Sequence, residues 1–351
     1  MGLNPKVSIL LPYRNAEKTI HQCVKSVKNQ DFDDWEALLV NDCSSDLSVE
    51  IVNSLTQKDS RIRSLQVERP CFVTALNYGI SKARSEIIVR MDSDDLMHSD
   101  RLSIHFEYLK RNPEVGLVAS KVKHISNEES NFNSEGYAEY VKWTNQILSH
   151  QQILLNQFRE SPFAHPSVSY RKVLVEKYGG YRNGNFPEDY ELWLRWLSQG
   201  VKMEKVNQTL LDWFDSKERM SRTSTRYSQD AFQKTKSRYL KPWIKQQFGD
   251  SKKITAWGCG KVAKKQATYL SENGINIRSF YEVDSKKIGQ SFLTAPILPF
   301  EAISGDPDEL ILVLSGARSA YQKIYNFLSA KKLQNVVGAA DLSGQTRRKS
   351  A

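Results

Sequence analysis

The sequence predicts an α/β protein, with a doubly wound sheet domain followed by a smaller α/β domain. Three observations predict it. From Val7 to Asp95, short β-branched runs alternate with amphipathic segments, the pattern of strands joined by helices. Three of those runs end in polar clusters: Pro12-Tyr13-Arg14-Asn15, Asn41-Asp42-Cys43-Ser44-Ser45-Asp46 and Asp92-Ser93-Asp94-Asp95. A second strand–turn–helix start, Ile254 to Ala263, opens another unit near Lys252. At 351 residues the chain exceeds one ordinary domain.

Val7 to Leu11 reads as a buried strand that Pro12 stops. Ala16 to Gln30 has Ile20, Cys23, Val24 and Val27 at helical spacing. Trp35 to Val40 is a second strand, Ser48 to Gln57 a helix, and Ile62 to Val67 a third strand. Phe72 to Ala83 is a helix carrying Ala75, Leu76, Gly79 and Ile80, and a strand from Ile87 runs into Asp92. In a parallel, doubly wound sheet, ligands sit beyond the carboxyl ends of the strands, where the three polar clusters converge. Arg101 to Arg111 is a helix that Asn112-Pro113 stops. Val115 to Ala119 is a strand, Ser126 to Gly136 a polar exposed loop, and Ile147 to Phe158 a helix. A further helix opens at Glu188-Asp189.

Hydrophobic residues make up 40% and charged residues 26%, a balance that buries a sizeable core. No apolar stretch approaches the roughly 18 to 20 residues of a membrane span. Met1 to Lys6 lacks the charged and apolar regions of a signal peptide. The four cysteines, Cys23, Cys43, Cys71 and Cys259, have neither zinc spacing nor a disulfide framework, so a cytoplasmic location is expected. A net charge of +10 suits nucleic acid, an anionic membrane face or acidic substrates. No nucleic-acid-reading motif accompanies it, and nucleic acid is not an expected partner.

The acidic stretch after Ile87-Ile88-Val89-Arg90-Met91 carries the chemistry. Carboxylates brought close together repel, and each favours protonation. A divalent cation such as Mg2+ or Mn2+, which takes oxygen ligands together with substrate phosphates, removes that cost. Asp92 and Asp94 then form the two ends of a metal–nucleotide clamp. The bland alternative is a solvated turn, or a helix cap ahead of Leu96. Asp42 and Asp46 have a similar alternative as caps of the following helix, and Pro12 as a strand terminator.

Leu11-Pro12-Tyr13-Arg14-Asn15, Val40-Asn41-Asp42-Cys43-Ser44-Ser45-Asp46 and Met91-Asp92-Ser93-Asp94-Asp95, in this order, resemble the motifs of inverting family 2 glycosyltransferases of the GT-A fold. The resemblance runs from about Lys6 to about Ser221. It implies that Pro12, Tyr13 and Asn15 cradle a nucleotide base and that Asp42 pairs with it. It also implies that Asp94 holds the metal, with Asp92 nearer the ribose and base. Phe186-Pro187-Glu188-Asp189-Tyr190 resembles the family's acceptor-side motif, which makes Asp189 the implied catalytic base. The dipole and free amides at that helix start are expected to hold the carboxylate ionised without raising its pKa. One departure stands before the third helix, where relatives often have Asn-Gly and this chain has Glu68-Arg69-Pro70-Cys71-Phe72-Val73. His165, ahead of Pro166, reads as a structural hydrogen-bonder, although some relatives use a late histidine near the metal.

The implied donor is a nucleotide-diphosphate sugar, with a UDP-sugar expected. The implied acceptor is a saccharide or a lipid-linked sugar in bacterial-type surface glycan synthesis. A sugar nucleotidyltransferase, a silent nucleotide- or glycan-binding protein, and an NAD-dependent oxidoreductase built on the C-terminal unit are the rival readings. The expected domains are a GT-A domain at 1–221, a basic helical linker at 222–251 and a Rossmann-like domain at 252–351. Within the basic stretch, Arg219 or Arg222 closes over the donor diphosphate, or else the whole stretch is a solvated linker with peripheral membrane contact. The last unit has Gly258-Cys259-Gly260-Lys261-Val262-Ala263 at its first turn, with further strands at Ile277–Asp284 and Leu310–Ala317. It reads as a structural or regulatory module, with nucleotide binding as the alternative.

Overall fold

A computed structural model describes residues 4–126, 135–217, 219–315, 320–333 and 335–339. The chain divides into two compact units. The first comprises Met1–Ile153, Phe163–Gly184 and Glu188–Arg219; the second comprises Leu154–Pro162, Asn185–Pro187 and Met220–Ala351.

The first unit alternates as the sequence pattern requires: β1 (Val7–Tyr13), α1 (Ile20–Lys28), β2 (Trp35–Asn41), α2 (Ser48–Lys58), β3 (Ile62–Gln66), α3 (Phe72–Lys82), β4 (Ile87–Arg90), β5 (Leu96–Met97) and α4 (Arg101–Arg111). Then come β6 (Val115–Ser126), α5 (Glu135–Thr144), α6 (His150–Asn156), β7 (Val168–Arg171), α7 (Val173–Tyr178), α8 (Glu188–Ser198) and β8 (Lys202–Asp215). β1, β2 and β4 are buried along their whole length, which is why they read as unbroken apolar runs rather than alternating ones. The sheet order is β3-β2-β1-β4-β7-β6-β8-β5. The first four strands are parallel. Beyond them the sheet is mixed: β7 runs antiparallel to both β4 and β6, and β5 antiparallel to β8.

Pro12 does not stop β1. It lies opposite Val40 within the β1–β2 ladder. Leu10 O accepts from Met91 N, so alternation turns Pro12 to the same side, past the end of the β1–β4 pairing. The missing N–H therefore costs no ladder bond. The first helix starts four residues later than the spacing suggests, because Ala16 O already closes a turn with Thr19 N and Ile20 N. α6 is shorter than expected, since Gln152 Oε1 takes the amides of Leu148 and Ser149 just ahead of it. Most of the expected loop at Ser126–Gly136 lies outside the described residues.

The second unit contains α9 (Met220–Thr223), α10 (Gln229–Phe248), β9 (Lys253–Trp257), α11 (Lys261–Glu272), β10 (Phe280–Glu282), β11 (Ser291–Phe292), β12 (Ala295–Pro299), β13 (Glu309–Val313), α12 (Ala320–Ala330) and β14 (Val336–Gly338). Its sheet order is β11-β12-β10-β9-β13-β14, parallel except for the β11–β12 hairpin. α10 is the stretch expected as a solvated linker, yet Phe232, Leu240, Trp243 and Ile244 are buried. The Trp243 ring meets Phe158 edge-on at 5.3 Å, and the buried Lys236 Nζ donates to Arg159 O at 3.1 Å. Ser228 Oγ caps this helix by accepting from Ala231 N. Gly316 and Ala317, expected in the third strand, lie outside the described residues.

α3 packs flat on the sheet at Gly79. A Cβ there would lie 2.9 Å from Val40 Cγ2 and nearer still to Leu10 Cδ1, both in the core. Gly79→Val should therefore destabilise the first unit by about 1–3 kcal/mol, read as a lowered denaturation midpoint in urea.

Candidate active site

Because β1, β2 and β4 are parallel neighbours, their carboxyl ends open on one edge of the sheet. The loops after β1 and β2 are laced together there. Asn15 Oδ1 accepts from Ser45 N at 2.9 Å, and Asn15 N donates to Ser44 Oγ at 3.1 Å. Asp46 accepts from Glu17 N and Ser48 N, each at 3.1 Å, so it joins the two loops and steadies the start of α2. Asn15 and Cys43 sit in the left-handed region, with φ of 50° and 58°. Asp42 is buried and accepts from Cys71 N at 2.6 Å, at the start of α3. Pro12 and Tyr13 are buried behind these loops, and burial pushes the Tyr13 phenol up to about 12. Asn15 and Asp42 thus follow β1 and β2 at the same end of the sheet, where Asp42 N donates to Tyr13 O at 2.8 Å, with Pro12 and Tyr13 buried at the end of β1.

β4 ends at the acids. The carboxylates of Asp92, Asp94 and Asp95 offer oxygens that lie within 4.8 Å of one another. Asp95 is fully buried: Oδ1 accepts from Phe214 N at 2.9 Å, and Oδ2 has no partner among the described residues. Burial pushes the Asp95 carboxyl well up, and Asp94 adds to the effect. Burial also raises Asp94; Arg219 opposes the rise and Asp92 adds to it. Three hard oxygen donors with an orphaned buried oxygen among them fit a divalent cation. The Arg219 guanidinium stacks over Trp213 at 4.3 Å and donates to Phe214 O. Arg222 lies in α9 of the second unit.

Two arginines that the sequence reading passed over underlie this edge. Arg90 is fully buried and its Nη2 donates to Asp92 Oδ1 at 2.5 Å. Arg101, also fully buried, donates to Arg90 O at 3.0 Å and Val168 O at 3.4 Å, tying β4 to β7. The signal for Arg90 was available, since a lone arginine inside a buried strand needs a reason.

Asp189 lies in the first turn of α8 and accepts from Tyr190 N at 2.7 Å. The helix start does not keep it at an ordinary value. Burial, followed by the charge of Glu188, pushes its carboxyl up to about 8, while Arg90 acts in the opposite direction. His165 is held by the Tyr181 hydroxyl at 2.8 Å from Nε2. Burial, then the charge of Arg90, lowers His165 well below its usual value, so it stands neutral.

In the second unit, the glycine turn after β9 has Gly258 at φ 103°. Cys259 N donates to Glu282 Oε2 at 2.9 Å. The turn amide that a phosphate would need is bonded to the chain's own carboxylate.

Residues 8–179 match the family model described as glycosyl transferase family 2. A UDP-Gal:alpha-D-GlcNAc-diphosphoundecaprenol beta-1,3-galactosyltransferase of Escherichia coli is 26% identical over 221 residues, 62% of this chain and 77% of that protein. The Escherichia coli O-antigen biosynthesis glycosyltransferase WbnJ is 28% identical over 247 residues, 68% and 89% of the two chains. Among solved structures, S. aureus TarS 1–349 in complex with UDP-GlcNAc superposes with a TM-score of 0.54 at 17% identity, over 76% of this chain and 71% of that one. The mannosyltransferase PcManGT from Pyrobaculum calidifontis, in complex with GDP-Man and Mn2+, gives 0.50 at 18% identity, over 71% and 66%. These likenesses show the fold, GT-A for the first unit.

A carboxyl whose pKa rises on folding binds its proton more tightly in the folded chain. Folded stability is therefore lost as pH climbs through the ordinary carboxylate range towards the raised value. Asp94→Asn removes one such charge, so with chelator at pH 7.5 the variant should melt above the wild type. Mn2+ should raise the wild-type melting temperature and raise that of the variant less, both read by differential scanning calorimetry.

Proposed function

We propose, for this chain that belongs to glycosyltransferase family 2 through residues 8–179 and is a glycosyltransferase, transfer of a sugar from a nucleotide-diphosphate donor to an acceptor hydroxyl with inversion at the anomeric carbon. The observation that carries this reading is the group of three carboxylates, Asp92, Asp94 and Asp95, gathered at the end of β4 within 4.8 Å of one another, in a domain that also buries Asp189 at the start of α8.

The donor side would use the rim formed by Pro12, Tyr13, Asn15 and Asp42. Asp42, buried but with one oxygen engaged by Cys71 N, suits recognition of a base N–H. Asp92 would lie nearer the ribose and base, and Asp94, with its neighbouring carboxylates, would hold Mg2+ or Mn2+. When bound there, the cation supplies the positive charge that offsets the departing diphosphate. Arg219 stands beside the same acids, where a guanidinium also suits a diphosphate.

On the acceptor side, Asp189 takes the proton of the attacking hydroxyl. Its raised pKa makes it a stronger base than a surface carboxylate. A single displacement, with the base opposite the leaving diphosphate, inverts the anomeric centre. The UDP-GlcNAc complex of TarS and the name of the Escherichia coli galactosyltransferase support a UDP-sugar donor and a lipid-linked saccharide acceptor, in synthesis of a cell-surface glycan. No helix among the described residues is long and apolar enough to cross a membrane. The exposed basic residues Lys234, Arg238, Lys241 and Lys245 of α10 suit peripheral contact with an anionic membrane face, on the cytoplasmic side where nucleotide sugars are held.

A panel of nucleotide sugars, assayed for nucleotide release with Mn2+ and with chelator, tests the reading. Turnover should require the cation, and undiminished turnover in excess chelator would remove the metal from it. Asp189→Asn should retain UDP binding and lose roughly 10²-fold or more in transfer rate. In the wild type, kcat/KM should climb with pH through about 8, because the base must first give up its proton. A wild-type rate in Asp189→Asn would move the role elsewhere, with Glu188 next in line.

A further inference from the structure

The turn from Asp92 to Leu102 carries three carboxylates whose oxygens lie within 4.8 Å of one another, and their repulsion favours a backbone that opens. α1 meets this turn along one face. Cys23 and Ser26 stand one helical turn apart on α1, and Gln30 follows just past its end. The Cys23 thiol donates to Asp92 O at 3.2 Å. Ser26 Oγ accepts from Met97 N at 3.1 Å. Gln30 uses both ends of its amide on the same turn: Nε2 donates to His98 O at 2.7 Å, and Oε1 accepts from Leu102 N at 3.0 Å. Asp31 N adds a bond to Ser99 O at 2.8 Å. Cys23 and Gln30 are buried, so water does not readily replace a bond lost there. The other end of α1 is anchored as well. Ala16, whose carbonyl closes the turn into the helix, donates its N–H to Ser48 Oγ at 2.8 Å.

We propose that Cys23, Ser26 and Gln30 are positioning residues for the cation: they brace the backbone on which Asp92, Asp94 and Asp95 stand, so that the carboxylates stay converged before a cation arrives. This rests on those acids holding Mg2+ or Mn2+. None of the three touches the cation or the donor in this scheme; each acts through a backbone group of the turn. The bonds fall on both sides of the acids, at Asp92 O before Asp94 and at Met97 N, His98 O and Leu102 N after Asp95. A turn that must be drawn together on binding subtracts that cost from the affinity, and a turn already held does not. A weakened brace therefore raises the cation concentration that turnover needs. At saturating cation the rate recovers, because the groups that do the chemistry are unchanged.

The test uses the full chain as Ser26→Ala, Gln30→Met, Val52→Ala and Asp94→Asn. Mn2+ affinity is measured by titration calorimetry in the presence of UDP. Nucleotide release from the UDP-sugar that the wild type turns over best is followed against Mn2+ concentration, and melting in chelator reports stability. Ser26→Ala and Gln30→Met should each raise the Mn2+ dissociation constant about fivefold or more, with the rate restored at saturating Mn2+. Val52 is buried on α2, so Val52→Ala controls for general loss of packing. It should melt lower in chelator and bind Mn2+ as the wild type does. Wild-type Mn2+ affinity in both brace variants, a rate that stays low at saturating Mn2+, or an equal loss of affinity in Val52→Ala overturns the proposal. If Gln30→Met does not fold, Ser26→Ala, which deletes a single oxygen, decides alone. Asp94→Asn separates the two levels. Wild-type Mn2+ affinity there removes the metal assignment itself, whereas weakened binding in Asp94→Asn beside unchanged brace variants removes only the brace.

Discussion

Three carboxylates crowded at the end of β4 repel one another, and the rest of this sheet edge is arranged to hold them there. Arg90 bonds Asp92 from beneath, and Arg219 faces Asp94 and Asp95. Arg101 fixes the backbone of Arg90 to that of β7. Burial pushes the Arg101 guanidinium down to about 9, and Asp95 supports its charge. The antiparallel β7 therefore has a purpose beyond completing the sheet. It supplies Val168 O to Arg101 and so keeps the acidic turn from relaxing into solvent.

The opposite edge of the sheet treats charge differently. Glu36 is fully buried, accepts from Ser8 Oγ at 2.7 Å and Arg63 Nη1 at 2.7 Å, and receives two bonds from Arg84. Those bonds outweigh burial and hold its carboxyl below its ordinary value. A fully satisfied group of this kind closes its end of the sheet and offers nothing to a ligand. The edge at the end of β4 leaves Asp95 Oδ2 without a partner among the described residues instead. Acids with comparable burial thus play opposite parts according to who answers their charge.

The turn from Tyr178 to Tyr181 is held through its backbone groups. Arg195 donates to Gly179 O at 2.9 Å and Gly180 O at 2.6 Å, while Asn77 bonds both the N–H and the C=O of Tyr181. A Cβ on Gly180 would lie 2.5 Å from Asn77 Oδ1, which is why glycine stands there. This turn delivers the Tyr181 hydroxyl to His165, whose ring meets Trp193 of α8 edge-on at 6.1 Å.

The sequence by itself determined the alternation of the first four strands and helices, the acids at the end of β4 and the opening of α8 at Glu188. Each of these is a short-range pattern: an apolar run long enough for a strand, a helical face, a polar cluster where a strand must end. The order of those clusters also carried the family resemblance. Only the tertiary structure decided what the charges do. Arg90 and Arg101 lie close to the acids in the chain, yet their roles depend on Val168 and Phe72, brought in from distant segments. The carboxyl of Asp189 was expected to stay at an ordinary value from its helix position; its burial beside Glu188 overrides the helix dipole. The basic stretch from Gln229 to Phe248 reads as a helical linker with a few apolar residues, and only the structure shows which partners, such as Phe158 for Trp243, those residues meet. Dipoles and propensities act within a turn or two and can be read along the chain. Desolvation and opposing charges depend on which segments meet in space, and a linear pattern does not carry that information.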